Sequence, residues 1–206
     1  MCGICGQLRF DGKDVTSESL DNMMLKLAKR GPDSSGQWTA ERIGFGHQRL
    51  SIIDLSSYGS QPMVDNKLEL TLVFNGTIYN FKSLRSQLLK KGYHFFSNSD
   101  TEVIIKAYHF WGENCLEHLD GMFAFAIWDH STKKLFIARD RMGIKPLYFN
   151  STSKAFTFAS NSQALLTQEI DRSINPVALQ QQLALHGVVP APNTIINGIQ
   201  KLKPGS

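Results

Sequence analysis

Leu20, Met23, Met24 and Leu27 recur at the spacing of one helix face, just after Thr16 and Ser17, either of which can cap a helix. The pattern predicts an amphipathic helix over 17–30, stopped by Gly31-Pro32. Phe81, Leu84 and Leu88 predict a second helix ending at Gly92. Val103, Ile104, Ala107, Tyr108 and Trp111 predict a third, opening at Ser99-Asp100. Alternating or continuous apolar runs predict strands over 4–10, 43–53, 68–74, 122–129, 134–140, 147–149 and 156–160. The run from Met122 to Asp129 is apolar on both faces, as expected of a strand in a sheet covered on each side. Short connections such as 129–133 and 150–153 favour antiparallel pairing over long crossovers, so the chain reads as an α+β layered fold. One more helix is expected after Asn175-Pro176. The Pro-bearing stretch 188–193 then reads as a connection, dividing the chain into a domain over 1–190 and the start of a linker over 191–206.

With 206 residues, 42% of them hydrophobic, the chain can bury one substantial core. The formal charge of +4 is dispersed through isolated pairs such as Lys29-Arg30, Lys90-Lys91 and Lys133-Lys134, with no basic block, so nucleic acid is not an expected partner. No apolar run approaches the roughly 18 residues of a membrane span, and the N-terminus lacks the basic and apolar regions of a signal peptide. No membrane association and a cytoplasmic location are expected. Three cysteines, an odd number without regular spacing, fit free thiols in a reducing compartment.

The chemistry begins at Cys2. Removal of Met1 would leave a thiol and a free α-amino group on one residue, a nucleophile carrying its own base. Such an amine titrates at about 8 and a free thiol at about 8.5, so a modest local shift lets the amine take the thiol proton. A second-position cysteine is also a common accident of the start site. Acyl transfer needs oxyanion donors as well, and Asn75-Gly76 is a candidate pair, although Asn-Gly between apolar runs equally marks a plain hairpin turn. Arg49, in a strand-like run, can clamp a carboxylate or form an edge-strand salt bridge. Asp100, in Ser99-Asp-Thr-Glu102, can hold an ammonium or merely cap a helix. Cys2-Gly-Ile-Cys5 is formally a C-x-x-C, so a redox or metal module is a competing class. A strand rather than a helix follows Cys5, however, and Cys115 with His109 or His118 lacks a matching ligand spacing.

Taken in order, Cys2-Gly-Ile-Cys-Gly6, Arg30-Gly-Pro-Asp33, His47-Gln-Arg-Leu-Ser-Ile-Ile-Asp54, Gln61-Pro62, Asn75-Gly-Thr-Ile-Tyr-Asn80, Ser99-Asp-Thr-Glu102, the segment 120–126 and Ala138-Arg-Asp-Arg-Met-Gly-Ile-Lys-Pro-Leu-Tyr148 resemble the motif series of class II glutamine amidotransferases. The asparagine-synthetase-like branch fits best, and the match runs through the whole chain. The resemblance implies a four-layer αββα N-terminal-nucleophile hydrolase sandwich of two antiparallel sheets. It also implies hydrolysis of L-glutamine to glutamate and ammonia, with Cys2 as nucleophile and Asn75 with Gly76 as oxyanion hole. Arg49 would bind the substrate carboxylate and Asp100 its ammonium, and the backbone of Leu50, Ser51, Ile52 and Ile53 would line the pocket. Thr77 would stand where many asparagine synthetases carry a substrate-binding Glu. That departure motivates an alternative reading as a non-catalytic glutamine-binding module.

Thr77, the stretch 92–96 and the stretch 184–193 are similar to amidotransferases that amidate N-acetylglutaminylglutamine, with aspartate as the alternative acceptor. Full-length members carry an ATP-dependent synthetase domain, and neither its Ser-Gly-Gly-x-Asp-Ser signature nor a Walker loop occurs in this chain. The resemblance therefore implies an amidotransferase domain whose partner is the C-terminal synthetase domain of the same polypeptide. No metal or cofactor is expected for the glutaminase half-reaction, and ATP and Mg²⁺ only in the synthetase domain.

Overall fold

Alternation along the strands sorts the apolar residues into three interfaces in the computed structural model, which describes all 206 residues. In chain order the elements are β1 (Gly3–Arg9), α1 (Ser17–Leu25), β2 (Ser34–Ala40), β3 (Ile43–Arg49), β4 (Met63–Asp65), β5 (Leu70–Ile78), α2 (Phe81–Lys90), α3 (Asp100–Trp111), α4 (Cys115–His118), β6 (Gly121–Asp129), β7 (Lys134–Arg139), β8 (Tyr148–Ser151), β9 (Ala155–Ala159), α5 (Ser162–Leu165), α6 (Pro176–Ala184) and β10 (Gln200–Lys201). One antiparallel sheet runs β10-β8-β9-β1-β3-β2, the other β4-β5-β6-β7.

Ile4, Ile43, Phe45, Val73, Ala124, Ala126, Trp128 and Phe158 form the layer between the sheets. The opposite face of the six-stranded sheet buries Cys5 and Ala159 against Leu20, Met23, Met24 and Leu27. The opposite face of the four-stranded sheet buries Leu72, Phe74, Phe123 and Phe125 against Leu84, Leu88, Val103 and Ile104. The expected four-layer αββα sandwich of two antiparallel sheets follows directly, because each sheet is apolar on both faces. Truncating a fully buried ring such as Phe125 would cost about 3–5 kcal/mol.

Several expected boundaries move. The first helix ends at Leu25 rather than at 30, since Leu27 and Arg30 bond back only three residues, to Met24 and Leu27. Leu27 nevertheless keeps its buried place. The strand expected over 43–53 stops at Arg49, where the next backbone N–H groups turn to side chains of Cys2 and Asp33. Asn75-Gly76 is not a turn: both residues lie inside β5, opposite Ala124 and Phe123 of β6. A Cβ on Gly76 would sit 2.3 Å from the Met122 carbonyl oxygen and 2.6 Å from the Phe74 ring, so this glycine permits a close strand approach rather than a reversal. Strand β2 carried no apolar signal because it is a polar, largely exposed edge. Residues 191–206 pack onto the body of the fold, reaching both sheets. Gln200–Lys201 pairs with β8, Ile199 is buried, and the Ser206 carbonyl accepts from Arg139 N–H.

Candidate active site

The alternation that fills the inter-sheet layer also builds a pocket at its open end. Beyond Val73 on β5, the same face carries Asn75 and Thr77; beyond Ala124 on β6 it carries Met122. Beyond Ile43 and Phe45 on β3 it carries His47 and Arg49, and just ahead of Ile4 on β1 it carries Cys2. All of these except His47 line a cavity of about 210 Å³, together with Leu50, Gln61, Asp100 and Lys145. The volume suits a ligand smaller than the drug-sized molecules that fill pockets of roughly 300–1,000 Å³.

The Cys2 sulfur lies against the strand end it helps to terminate. Its thiol donates to the Leu50 carbonyl at 3.6 Å, and the Leu50 N–H approaches the same sulfur at 3.4 Å, a donor placed for a thiolate. Arg30 donates from Nε to the Cys2 carbonyl at 3.1 Å and fixes the backbone behind the sulfur. Asn75 is only 1% exposed, and its Nδ2 has no hydrogen-bond partner in the protein. Both ring nitrogens of His47 and Nη2 of Arg30 are the only other buried side-chain polar atoms left without a partner. Burial above all, and then Arg49, bring the His47 imidazole down to about 3, so it is uncharged. Buried polar atoms are nearly always paired, so the orphan Asn75 amide in the pocket wall and the orphan Arg30 nitrogen behind Cys2 mark a place built to meet something else.

Arg49 spends two of its five donors on the following loop, Nη1 on the Ser56 carbonyl at 3.1 Å and Nη2 on the Asp54 carbonyl. Gly59 makes room for it, since a Cβ there would lie 2.5 Å from Nη2. The remaining donors leave the guanidinium able to grip an anion while it holds the pocket wall. Asp100 is not the helix cap: Ser99 is, accepting from the Glu102 N–H at 3.2 Å. The Asp100 carboxylate instead accepts from the Ile78 N–H at 3.0 Å, across the end of β5. Burial raises its affinity for a proton, more than that N–H lowers it, as for a carboxylate awaiting a cation.

Leu50, Ile52, Ile53 and Thr77 line the pocket as expected, Ile52 at an exposed rim. Ser51 does not line it, because its N–H is held by Asp33 Oδ2 at 2.7 Å on the outer side of the chain. Gln61, Met122 and Lys145 line the pocket without any expectation from spacing. Gln61 accepts from the Phe74 N–H at 2.6 Å and braces the strand that carries Asn75. Only the places of Gln61, Met122 and Lys145 in quoted motifs hinted at a role.

The C-x-x-C reading fails on geometry. Residues three apart on a strand face opposite ways, and Cys5 points into the helix-side core, where its thiol donates to the Gly46 carbonyl at 3.7 Å. Burial pushes that thiol up to about 12, which leaves it inert. No group of three or more His, Cys, Asp or Glu side chains is arranged to hold a metal ion. A larger groove of about 770 Å³ lies on the far side of the helices, lined by Tyr93, Phe95, Phe96, Phe110, Lys91 and Lys106 among others. It holds no nucleophile and no orphan donor, and Lys106 is already paired with Asp65 and Glu102. No helix is long and apolar enough to cross a membrane.

The family model described as "Glutamine amidotransferase domain" matches residues 1–206. The chain is 38% identical over 209 residues to asparagine synthetase [glutamine-hydrolyzing] 3 of Bacillus subtilis, an alignment covering 99% of this chain and 34% of that protein. It is 39% identical to asparagine synthetase [glutamine-hydrolyzing] 1 of the same organism, covering 100% and 33% respectively. The chain thus spans about a third of the length of these curated relatives. Among solved structures, glutamine phosphoribosylpyrophosphate amidotransferase from B. subtilis superposes with a TM-score of 0.68 over 80% of this chain and 43% of that one, at 23% identity. That likeness bears on the fold alone.

Proposed function

The chain belongs to the glutamine amidotransferase domain family, and from that premise we propose that it hydrolyses the side-chain amide of L-glutamine through Cys2 once Met1 has been removed. The observation that carries this reading is the convergence of the Cys2 sulfur, the orphan Asn75 amide, Arg49 and Asp100 on one small cavity. Arg49 binds the α-carboxylate and Asp100 the α-ammonium, so the amide carbon comes to rest at the sulfur. The Cys2 thiol passes its proton to the α-amine and the thiolate attacks. Asn75 Nδ2 and the Gly76 N–H receive the oxyanion. The protonated α-amine then returns its proton to the departing ammonia. Water, activated by the same amine, hydrolyses the γ-glutamyl thioester to glutamate.

These steps draw on the chain's own groups, with no metal or cofactor. In the chain as translated the Cys2 nitrogen is an amide and cannot act as a base, so turnover requires processing. The relatives named as asparagine synthetases are about three times longer, which supports an onward role: ammonia passes to an ATP- and Mg²⁺-dependent synthetase domain that amidates an acceptor carboxylate, N-acetylglutaminylglutamine or aspartate.

Ammonia release from glutamine by protein shown by mass spectrometry to begin at Cys2 tests the proposal. Turnover is expected in that form and is expected to fall about 10⁴-fold or more in Cys2→Ala. Equal turnover in protein retaining Met1, or in Cys2→Ala, would sink it.

A further inference from the structure

Lys145 lines the same pocket, 5% exposed with Met1 in place, and no carboxylate pairs with its ammonium. Its Nζ touches only the Met1 sulfur, at 3.3 Å, an atom that leaves with processing. Buried cations are ordinarily paired, and an unpaired one is held at a cost. The neighbouring carboxylate is fully engaged elsewhere. Asp140 Oδ1 accepts from the N–H groups of Met142 and Ile144, and Oδ2 from those of Phe123 and Lys145 itself.

Arg139 reinforces the same loop. It donates to the carbonyls of Lys145 at 2.7 Å, Gly143 at 2.6 Å and Leu202. Gly143 supplies the positive φ of 63° that the turn needs. The segment from Arg139 to Lys145 is thus tied down at almost every residue, and it delivers one bare cation to the wall beside Cys2. The charged and titratable groups facing that cation are Arg30 from the turn after α1, Asp140 from the end of β7 and the Cys2 sulfur. Tyr148 faces Arg30, while Arg49 and Asp100 stand on the pocket wall. Burial foremost, then Arg30, lower the Lys145 ammonium's hold on its proton, whereas the Cys2 sulfur and Asp140 strengthen it.

We propose that Lys145 is a positioning residue for the nucleophile, a fixed cation whose intended counter-charge is the thiolate of Cys2. The proton balance is simple: the thiol proton moves to the α-amine, Lys145 keeps its own three protons, and no bond to Lys145 forms or breaks. The inference deepens the reading of Cys2 as nucleophile and rests on it, yet its test does not need glutamine turnover.

In processed protein, alkylation of Cys2 by iodoacetamide is followed by mass spectrometry between about pH 6 and 9, with Cys5 and Cys115 shielded by burial. Lys145→Met is expected to move the rate-against-pH curve to higher pH and to slow alkylation near neutrality about tenfold, while Lys145→Arg restores the wild-type curve. Circular dichroism establishes folding, and Lys145→Gln replaces Lys145→Met if the latter does not fold. A curve that superposes on wild type in the folded neutral variant overturns the proposal. The two readings fail separately. A shifted curve in a protein that never releases ammonia removes the glutaminase reading and leaves Lys145 standing; normal turnover with an unshifted curve does the reverse.

Discussion

The pocket at Cys2 encloses about 210 Å³ and the groove behind α2 and α3 about 770 Å³, yet it is the smaller one that brings together a cysteine, an orphan amide donor, Arg49 and Asp100. Of the unpartnered buried side-chain atoms, Asn75 Nδ2 lines this pocket and Arg30 Nη2 belongs to the guanidinium that holds the Cys2 carbonyl. Around the groove the polar groups are matched instead. Lys106 bonds Asp65 and lies 3.6 Å from Glu102, and Glu102 in turn accepts from Ser97 N–H and Oγ, both at 2.7 Å. A satisfied network contributes to stability, whereas an unsatisfied one is a cost that a ligand can relieve. Satisfaction of the polar groups therefore separates a candidate catalytic pocket from a structural hollow better than volume does.

If that contrast is right, the same kind of substitution has different consequences in the two regions. Asn75→Ala removes an orphan donor whose proposed partner exists only during reaction. It should lower kcat about 10²- to 10³-fold, close to 3–4 kcal/mol, with KM and melting temperature little changed. A loss confined to KM would break the assignment. Lys106→Met removes one partner of a buried pair and should cost about 3 kcal/mol of stability in denaturant melts while leaving glutamine kinetics intact. The acid side of the stability curve reports the same pair. Burial raises the Asp65 pKa, but Lys106 together with the N–H groups of Leu68 and Lys67 outweighs it and holds the carboxyl below the ordinary range. The stabilisation is complete above about pH 4 and is lost as pH falls through the depressed value. Lys106→Met should abolish that limb and leave a carboxyl that takes up its proton at higher pH.

The contrast also marks what local sequence could carry. Apolar runs such as 43–53, 68–74 and 122–129 reveal strands, the last apolar on both faces, so the layered fold and the strand bearing Arg49 are legible one strand at a time. Asn75-Gly76 misled because its local signal is the strongest for a hairpin, while the pairing that holds it straight comes from Phe123 and Ala124, beyond the intervening helices α2, α3 and α4. Lys145, quoted only as part of the motif 138–148, had no role of its own for a related reason. A lysine in a loop reads as solvated until Arg139 and Asp140 fold that loop inward. Ordered motifs that resemble a known family supplied the roles that spacing could not.

Smaller effects sharpen the pocket further. Asp100 already accepts one N–H and is raised by burial, so it takes up a proton at higher pH than an exposed carboxyl would. Only the ionised form can hold a substrate ammonium. The KM for glutamine should therefore rise as pH falls on the acid side, before an ordinary carboxyl would respond. Asp100→Asn should raise KM about tenfold or more and flatten that dependence, with kcat changing less. A KM that is insensitive to both pH and the substitution would place the ammonium elsewhere.

Thr77 offers the finest comparison, because it lies on the same face of β5 as Asn75 and lines the pocket next to Gly76 without carrying charge. Thr77→Glu would set a second carboxylate near Asp100. In the free protein the two anions repel, so Asp100 should hold its proton still more tightly; with an ammonium between them both are ionised and paired. The substitution should thus lower the KM for glutamine several-fold at pH 8, up to about tenfold for one added charge-assisted contact, and make KM steeper with falling pH than in wild type. Steady-state ammonia release at a series of pH values reads both effects at once. A lower KM with unchanged pH dependence would mean that the new carboxylate acts independently of Asp100, and an unchanged KM would mean that the ammonium does not lie between these two positions.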